Sequence, residues 1–290
     1  MSDAEGLGRL DWRSLLADAR SRVGDPDGRF LVEEASGFEG AELLVHLEDP
    51  ATMRAVAHLD AMLARRESGE PLQYVLGHWA FRTLDLAVDS RALIPRPETE
   101  QVVEAALGEL DRVGGRERET MVVDLGTGSG AMGLAICVER PRSRVALTDA
   151  SADAAALARS NVAGLGRAGA RVTVIEGSWY EPLPDELVGQ VDLIVSNPPY
   201  VRSGEELAAE VVEWEPAAAL FAGSDGLDDL RVILEGAPRW LRPGASVVVE
   251  IDPSQAEAVE RIASVAGLGD VASGTDLAGR KRWVSGRRRA

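Results

Sequence analysis

Val191-Asp192-Leu193-Ile194-Val195-Ser196-Asn197-Pro198-Pro199-Tyr200 is the stretch from which the fold can be argued. Asp192 to Val195 form a short, largely β-branched apolar run, which predicts a buried strand. The following prolines end it, because proline has no N–H for a central sheet ladder and fixes its own φ. Asn-Pro-Pro-Tyr therefore follows the carboxyl end of a strand, where open α/β sheets bind ligands.

This turn has the chemistry to bind a planar group that carries an NH2. The side-chain oxygen of Asn197 can accept one N–H, and the carbonyl of Pro198, held still by its ring, can accept the other. Tyr200 can pack over the flat face of that group. The alternative is a proline-rich turn closed by a core tyrosine, and these four residues alone leave it open.

Strands alternate with helices on both sides of this stretch. We expect strands over Met121–Leu125, Val145–Thr148, Arg171–Glu176 and Ser246–Ile251, with Val271–Ser273 and Arg282–Val284 as an antiparallel pair. We expect helices over residues 100–110, 131–139, 151–164, 227–241 and 254–266. This alternation predicts an α/β fold whose seven-stranded sheet is mostly parallel.

The chain is predicted to have three parts. Residues 1–70 show helical spacing of apolar residues and predict a small helical bundle. Residues 71–97 are interpreted as a β-hairpin linker, with Leu72–Phe81 and Leu84–Val88 as its strands. Residues 98–290 hold the α/β domain.

The glycine turn Gly126-Thr127-Gly128-Ser129-Gly130 follows the first strand of that domain and precedes a helix. Such a turn lets a ligand approach the backbone, and Asp149, at the end of the next strand, can bind a ribose hydroxyl. Residues 128–133 fit the dinucleotide pattern G-x-G-x-x-G, and residues 124–130 fit the Asp-Leu-Gly-x-Gly-x-Gly of S-adenosylmethionine enzymes. Asn197–Tyr200 favours the second, because an amino-group clamp makes sense opposite a methyl donor.

The composition and charge of the chain limit the classes of protein to which it can belong. The net charge of −17 disfavours bulk attraction to nucleic acid. No apolar run approaches membrane-spanning length, and residues 1–9 show no signal-peptide pattern. Cys137 is the single cysteine, so we expect a cytoplasmic protein without disulfides or a metal site. We further expect a monomer, with Arg287–Arg289 as a frayed, solvated tail.

From Pro71 on, the chain resembles the protein-glutamine N5-methyltransferases that modify class 1 peptide chain release factors. Five stretches carry the resemblance: Pro71–Gly77, Leu93-Ile-Pro-Arg-Pro-Glu-Thr-Glu100, Asp124–Gly130, Ser196–Tyr200 and Asp225–Asp228. Asn-Pro-Pro-Tyr is shared with adenine-N6 and guanine-N2 methyltransferases, whereas the Leu93–Glu100 stretch is more specific. Residues 1–70 match only as a helical domain of the right length.

The resemblance implies a Rossmann-like class I methyltransferase domain that uses S-adenosylmethionine. It implies cofactor contacts from Gly126, Thr127, Gly128, Ser129 and Gly130, with Asp149 at the ribose, Trp179 at the adenine, and Asn197 beside them. Asn197, Pro198, Pro199 and Tyr200 would bind the substrate glutamine amide, with Asn197, Pro198 and Tyr200 as the catalytic residues. Arg96 and Glu98 would shape the site. Ser178, in place of the family's usual Asp, and Asp252, in place of Gly, are departures.

The implied reaction is methylation of the side-chain amide of the glutamine in the Gly-Gly-Gln motif of a release factor. Three alternatives stay open at this point. A ribosomal-protein glutamine could be the substrate, the clamp could hold an exocyclic amine of a nucleic-acid base, or the chain could bind the cofactor without catalysis.

Overall fold

The computed structural model describes residues 10–289, which form two compact units. The first ends at Gly77 and the second begins at His78. The helices of the first unit are α1 (Trp12–Val23), α2 (Asp27–Ser36), α3 (Ala41–Val45), α4 (Met53–Glu67) and α5 (Leu72–Leu76).

The first unit is a helical bundle, as the sequence predicts. α1 and α4 begin at side-chain caps, where Asp11 accepts the N–H of Ser14 and Thr52 accepts that of Ala55. Their apolar stripes meet in a core that includes Leu16, Leu31, Leu59 and Leu63. The prediction of a strand over residues 72–76 is wrong. Those residues form α5, which ends at Gly77 in the left-handed conformation.

The second unit begins with a hairpin and continues as a seven-stranded α/β domain. The hairpin strands are β1 (His78–Phe81) and β2 (Leu84–Ala87). The sheet contains β3 (Thr120–Leu125), β4 (Ser143–Asp149), β5 (Val172–Glu176), β6 (Val191–Ser196), β7 (Leu241–Glu250), β8 (Leu268–Thr275) and β9 (Lys281–Arg288). Its helices are α6 (Thr99–Arg112), α7 (Ala131–Glu139), α8 (Ala152–Gly164), α9 (Ala209–Trp214), α10 (Asp228–Trp240) and α11 (Ala256–Val265).

The strand order is β5-β4-β3-β6-β7-β9-β8, and all neighbours are parallel except β9, which runs antiparallel to β7 and β8. The predicted fold class is therefore confirmed. β3 and β6 are adjacent, with Leu125 opposite Ser196, and the Ser196 hydroxyl donates to the Leu125 carbonyl at 2.7 Å. The glycine turn and Asn-Pro-Pro-Tyr thus leave the sheet side by side.

Two details of the α/β domain differ from expectation. α10 ends at Trp240, one residue before the predicted end, and β7 begins at Leu241, five residues before the predicted strand, so that Pro243 and Gly244 lie inside it. The register between β6 and β7 shifts between Val191 and Leu193, and such an irregularity is where a sheet accommodates proline and glycine.

Two of the three C-terminal arginines are not part of a solvated tail, whereas Arg289 is exposed after the end of β9. Arg287 and Arg288 belong to β9, where the Arg287 guanidinium donates to the Glu109 carboxylate at 2.8 Å and that of Arg288 to the Leu241 carbonyl. No helix among residues 10–289 combines the length and the apolar character needed to cross a membrane.

Candidate active site

One cleft brings together the two turns that the sequence singled out. Its lining comes from the turn after β3, from the segment before α6, from the start of α7 and from the end of β6. The lining residues are Leu93, Ile94, Pro95, Thr99, Asp124, Gly126, Thr127, Gly128, Ser129, Ala131, Met132 and Asn197.

The glycine turn fits closely against the ring of Trp179. Gly126 has φ +67°, and a Cβ added there would lie 2.9 Å from Cζ3 of Trp179. A side chain at residue 126 would therefore be strained and would displace the indole. Gly128 is more open, since its Cβ would meet only the Ala92 methyl at 3.7 Å.

Asp124 and Asp149 hold the shape of the turn. Oδ2 of Asp124 accepts the Thr127 hydroxyl at 2.7 Å and the Gly133 N–H at 2.9 Å. Oδ2 of Asp149 accepts the Gly128 N–H at 2.8 Å, and its Oδ1 accepts the Ser151 N–H at 2.9 Å. Each Asp149 oxygen still has a lone pair for a ligand hydroxyl, because an ionised carboxylate can accept about four hydrogen bonds.

Burial controls the ionisation of both carboxyl groups. It raises the pKa of Asp124 to about 7, against the lowering effect of the Thr127 hydroxyl and the Gly133 N–H. Burial also raises the pKa of Asp149, against the lowering effect of the N–H groups of Ser151 and Gly128. Hydrogen bonding therefore offsets only part of the desolvation cost of each charge.

Asp124→Asn should gain stability relative to the wild type as the pH rises. With a pKa of about 7 in the native state and 3.8 as the reference value, native Asp124 keeps its proton between these values while the unfolded chain loses it. Its contribution to stability therefore falls as the pH rises through this window, by up to roughly 4 kcal/mol. Asparagine can accept the same two donors on one oxygen without titrating.

Thermal unfolding of the wild type and the Asp124→Asn variant at pH 5, 6, 7 and 8 checks this expectation. The difference in Tm, variant minus wild type, should increase with pH. A constant difference over the range would contradict the ionisation assigned to Asp124.

Asn161 is a structural residue of the site that the sequence analysis missed. It lies on α8 and is 6% exposed. Its Nδ2 donates to the carbonyls of Ser129 at 2.8 Å and Ala87 at 3.0 Å, while its Oδ1 accepts the Ala87 N–H at 2.8 Å. This amide joins the glycine turn to β2, and its spacing of 32 and 74 residues from these partners gives no local signal.

Asn-Pro-Pro-Tyr leaves β6 as a well-held turn. Asn197 is partly exposed in the cleft, whereas Pro198 is buried. The Tyr200 carbonyl accepts Nε2 of Gln255 at 2.9 Å, and the Tyr200 hydroxyl lies 3.4 Å from Oε1 of Glu250. Burial and the neighbouring Glu250 raise the Tyr200 pKa above its usual value, so this hydroxyl remains a neutral donor.

The Arg96 and Glu98 side chains are both in ion pairs. The Arg96 guanidinium donates to the Glu215 carboxylate, whose other oxygen accepts the Ile94 N–H at 3.2 Å. The Glu98 carboxylate accepts the Arg280 guanidinium at 3.1 Å. The side chain of Glu215 is only 2% exposed, so the Arg96 pair fixes the wall of the cleft formed by Leu93, Ile94 and Pro95.

The remaining expected site residues are not among the residues that line the cleft. Gly130 is the N-cap of α7. Trp179 has φ +44°, and its carbonyl accepts the Thr148 hydroxyl at 3.0 Å, while Ser178 precedes it. Tyr200 lines a neighbouring groove rather than the cleft itself. Asp252, the family departure, caps a short turn by accepting the Ser254 N–H at 2.8 Å.

Comparison with known proteins assigns the family. A release factor glutamine methyltransferase of Xylella fastidiosa is 42% identical over 275 residues, covering 94% of this chain and 97% of the relative. The chain belongs to the release factor glutamine methyltransferase family. A member from Geobacter sulfurreducens is 40% identical over 281 residues, covering 96% of this chain and 95% of that relative.

Family models match both units of this family member. The PrmC N-terminal domain matches residues 10–77, which are the described part of the helical unit. The methyltransferase small domain matches residues 108–220, which include the glycine turn and Asn-Pro-Pro-Tyr. The match to the PrmC N-terminal domain assigns the helical unit to a known domain family. The motifs could not do this, because residues 1–70 carry no recognisable signature.

Solved structures agree on the fold. A methyltransferase from Pyrococcus furiosus superposes with a TM-score of 0.51 at 16% identity, covering 80% of this chain and 98% of that one. The T. thermophilus 16S rRNA N2 G1207 methyltransferase, solved with AdoMet and guanosine, has a TM-score of 0.50 at 17% identity, covering 73% of this chain and 50% of that one. At such identities the likeness shows a class I methyltransferase fold and nothing about substrate.

Proposed function

We propose that this protein transfers a methyl group from S-adenosylmethionine to the side-chain amide nitrogen of the glutamine in the Gly-Gly-Gln motif of class 1 peptide chain release factors. The observation that supports this most is the position of Asn197, which lines the same cleft as Gly126–Ser129. A methyl donor and an amide can therefore be bound facing one another.

The residues around the glycine turn fit S-adenosylmethionine. Asp149 is a partly buried carboxylate with unused lone pairs, suited to ribose hydroxyls. Trp179 offers an indole ring beside Gly126, suited to packing against adenine. When bound, S-adenosylmethionine supplies an electrophilic methyl group on a sulfonium that departs uncharged, so no general acid is needed.

Asn197 and Pro198 would act as acceptors for the substrate amide. The Oδ1 atom of Asn197 would take one N–H and the Pro198 carbonyl the other, leaving the electron density of the nitrogen directed along the cleft. Because positive charge develops on that nitrogen, both hydrogen bonds would strengthen toward the transition state. Tyr200 lines the neighbouring groove, so it would contact the substrate from that side, next to the amide clamp.

Positioning would supply most of the rate acceleration. The amide nitrogen is a weak nucleophile, since its lone pair is delocalised into the carbonyl. Asn197 and the Pro198 carbonyl are hydrogen-bond acceptors without the basicity to remove an amide proton, so they would orient the nitrogen and screen it from water. The displaced proton would leave to solvent after the nitrogen has formed its new bond.

The partner assignment rests on the family. The relatives from Xylella and Geobacter are named for release factors, and the PrmC N-terminal domain match covers the helical unit, which would help to hold the release factor. The net charge of −17 and the lone, buried Cys137 suit a cytoplasmic monomer without bulk affinity for nucleic acid.

Intact-mass analysis tests this proposal. Purified class 1 release factor incubated with the protein and S-adenosylmethionine should gain one methyl group, and a release factor with Glu in place of the Gly-Gly-Gln glutamine should gain none. Methylation of that control, or no gain on either protein while cofactor binding is intact, would contradict the proposal. Ribosomal proteins and oligonucleotides assayed in parallel would then identify the substrate class.

A further inference from the structure

Glu250 is a buried carboxylate that the amide clamp itself does not use. It is the last residue of β7 and is 1% exposed. Burial raises its pKa to about 7, against the lowering effect of the Thr99 hydroxyl and the Arg282 guanidinium. A buried carboxylate is costly unless donors satisfy it, and an apolar residue of similar volume would avoid that cost.

The two donors to Glu250 come from different parts of the site. The Thr99 hydroxyl donates to Oε2 at 2.7 Å, and the Tyr200 hydroxyl lies 3.4 Å from Oε1. Thr99 begins α6 and lines the cleft together with Leu93–Pro95. Tyr200 ends the Asn-Pro-Pro-Tyr turn, so one carboxylate connects the wall of the cleft to the turn that holds Asn197.

Tyr200 is held both at its backbone carbonyl and at its side-chain hydroxyl. The Gln255 side chain donates to the Tyr200 carbonyl at 2.9 Å and to the Gly226 carbonyl at 3.2 Å. Gly226 lies so close that an added Cβ would be 2.4 Å from the Tyr200 carbonyl oxygen. The backbone of Tyr200 is therefore fixed independently, and Glu250 restrains the remaining freedom, which is the direction of the phenol ring.

We propose that Glu250 is a positioning residue for methyl transfer, which fixes the Tyr200 ring and the Thr99 end of the cleft wall relative to one another. This inference rests on the proposed function for its catalytic consequence. Release of the two hydroxyls would let the ring and the cleft wall move apart. A misplacement of about 1 Å can cost on the order of 100-fold in rate.

Two substitutions of Glu250 separate hydrogen bonding from packing. Glu250→Gln can keep both contacts, because its amide oxygen accepts from Thr99 and its NH2 donates to the Tyr200 hydroxyl. Glu250→Leu fills the space without either contact. We expect kcat to fall about 10- to 100-fold in Glu250→Leu and to stay within about 3-fold in Glu250→Gln, with an unchanged Kd for S-adenosylmethionine in both.

Glu109→Leu is the matched control. Glu109 is a largely buried carboxylate at another part of the α6–β7 contact, where it accepts the Ser246 hydroxyl at 2.5 Å and the Arg287 guanidinium. Its loss should lower Tm without lowering kcat. If Glu250→Leu folds poorly, Tyr200→Phe and Thr99→Val replace it as tests, because each deletes one contact to Glu250. Each of them should show part of the fall in kcat expected for Glu250→Leu.

Hydrogen exchange gives a readout that does not need the substrate. The backbone amides of residues 93–99 other than Pro95 and Pro97, which lead to the Thr99 contact with Glu250, should exchange faster in Glu250→Leu than in the wild type, and at the wild-type rate in Glu109→Leu. Unchanged exchange in residues 93–99, or full kcat in a folded Glu250→Leu, would overturn the inference. A wild-type protein that fails to methylate release factor would instead overturn the proposed function, while the exchange result still decides the role of Glu250.

Discussion

Replacement of Asn197 by alanine should lower kcat for release-factor methylation about 100- to 1000-fold and leave the Kd for S-adenosylmethionine nearly unchanged. Removal of one preorganised partner of a charge that develops in the transition state costs roughly 3 to 4 kcal/mol in other enzymes. Asn197 is partly exposed at the end of a fully buried strand, so its loss leaves the packing of β6 intact. Single-turnover assays at saturating cofactor measure the effect on the chemical step.

Asn197→Gln is the sharper comparison for this variant. It retains the amide but moves it one methylene along the cleft, so it should also be slow if geometry rather than polarity matters. Calorimetric titration with S-adenosylmethionine and thermal unfolding show whether each variant is folded and binds the cofactor. Near-normal kcat in a folded Asn197→Ala would remove the clamp role of this residue.

Asp149→Ala should weaken S-adenosylmethionine binding by about 100-fold. The substitution removes acceptors for the ribose hydroxyls and leaves the Gly128 N–H without its partner at 2.8 Å. A hydrogen bond to a charged group is worth about 1.5 to 3 kcal/mol, and each 1.4 kcal/mol changes Kd tenfold. Calorimetric titration with S-adenosylmethionine measures this Kd directly.

Two further variants help to explain the loss of S-adenosylmethionine affinity expected for Asp149→Ala. Asp149→Asn can still accept the Gly128 N–H, so its Kd should lie between those of the wild type and Asp149→Ala. Asp153→Ala removes an exposed acidic residue four positions along the chain, in the first turn of α8, and should bind as the wild type does. An unaltered Kd in folded Asp149→Ala would show that the ribose lies elsewhere.

The architecture could be predicted from the sequence because the local helix and strand patterns agree with the long-range alternation of strands and helices. α7 has the predicted bounds, and α8 begins after Ser151, whose hydroxyl accepts the Ala154 N–H. Six of the seven strands of the large sheet are one to five residues longer than predicted, since their ends extend beyond the apolar runs that reveal them, whereas β5 is one residue shorter. Residues 72–76 were ambiguous because a short apolar run suits a buried helix as well as a strand.

The two turns of the site could be predicted because each is a contiguous motif at the end of a strand, and adjacent parallel strands bring such ends together. The residues that hold these turns in place could not be predicted from the sequence. Asn161, Glu215 and Glu250 bond to partners 32 to 151 residues away. The pairing of Arg287 with Glu109 spans 178 residues, so a terminal arginine run looked solvated from the sequence.

A crystal structure of the protein with S-adenosylhomocysteine and a class 1 release factor would show which groups bind the substrate glutamine amide. The amide nitrogen of the Gly-Gly-Gln glutamine should lie within about 3.2 Å of both Asn197 Oδ1 and the Pro198 carbonyl oxygen. It should also face the sulfur across the cleft that Gly126–Ser129 line. A glutamine amide bound by other groups, or directed away from the sulfur, would contradict the role of Asn197 and Pro198 as the amide clamp.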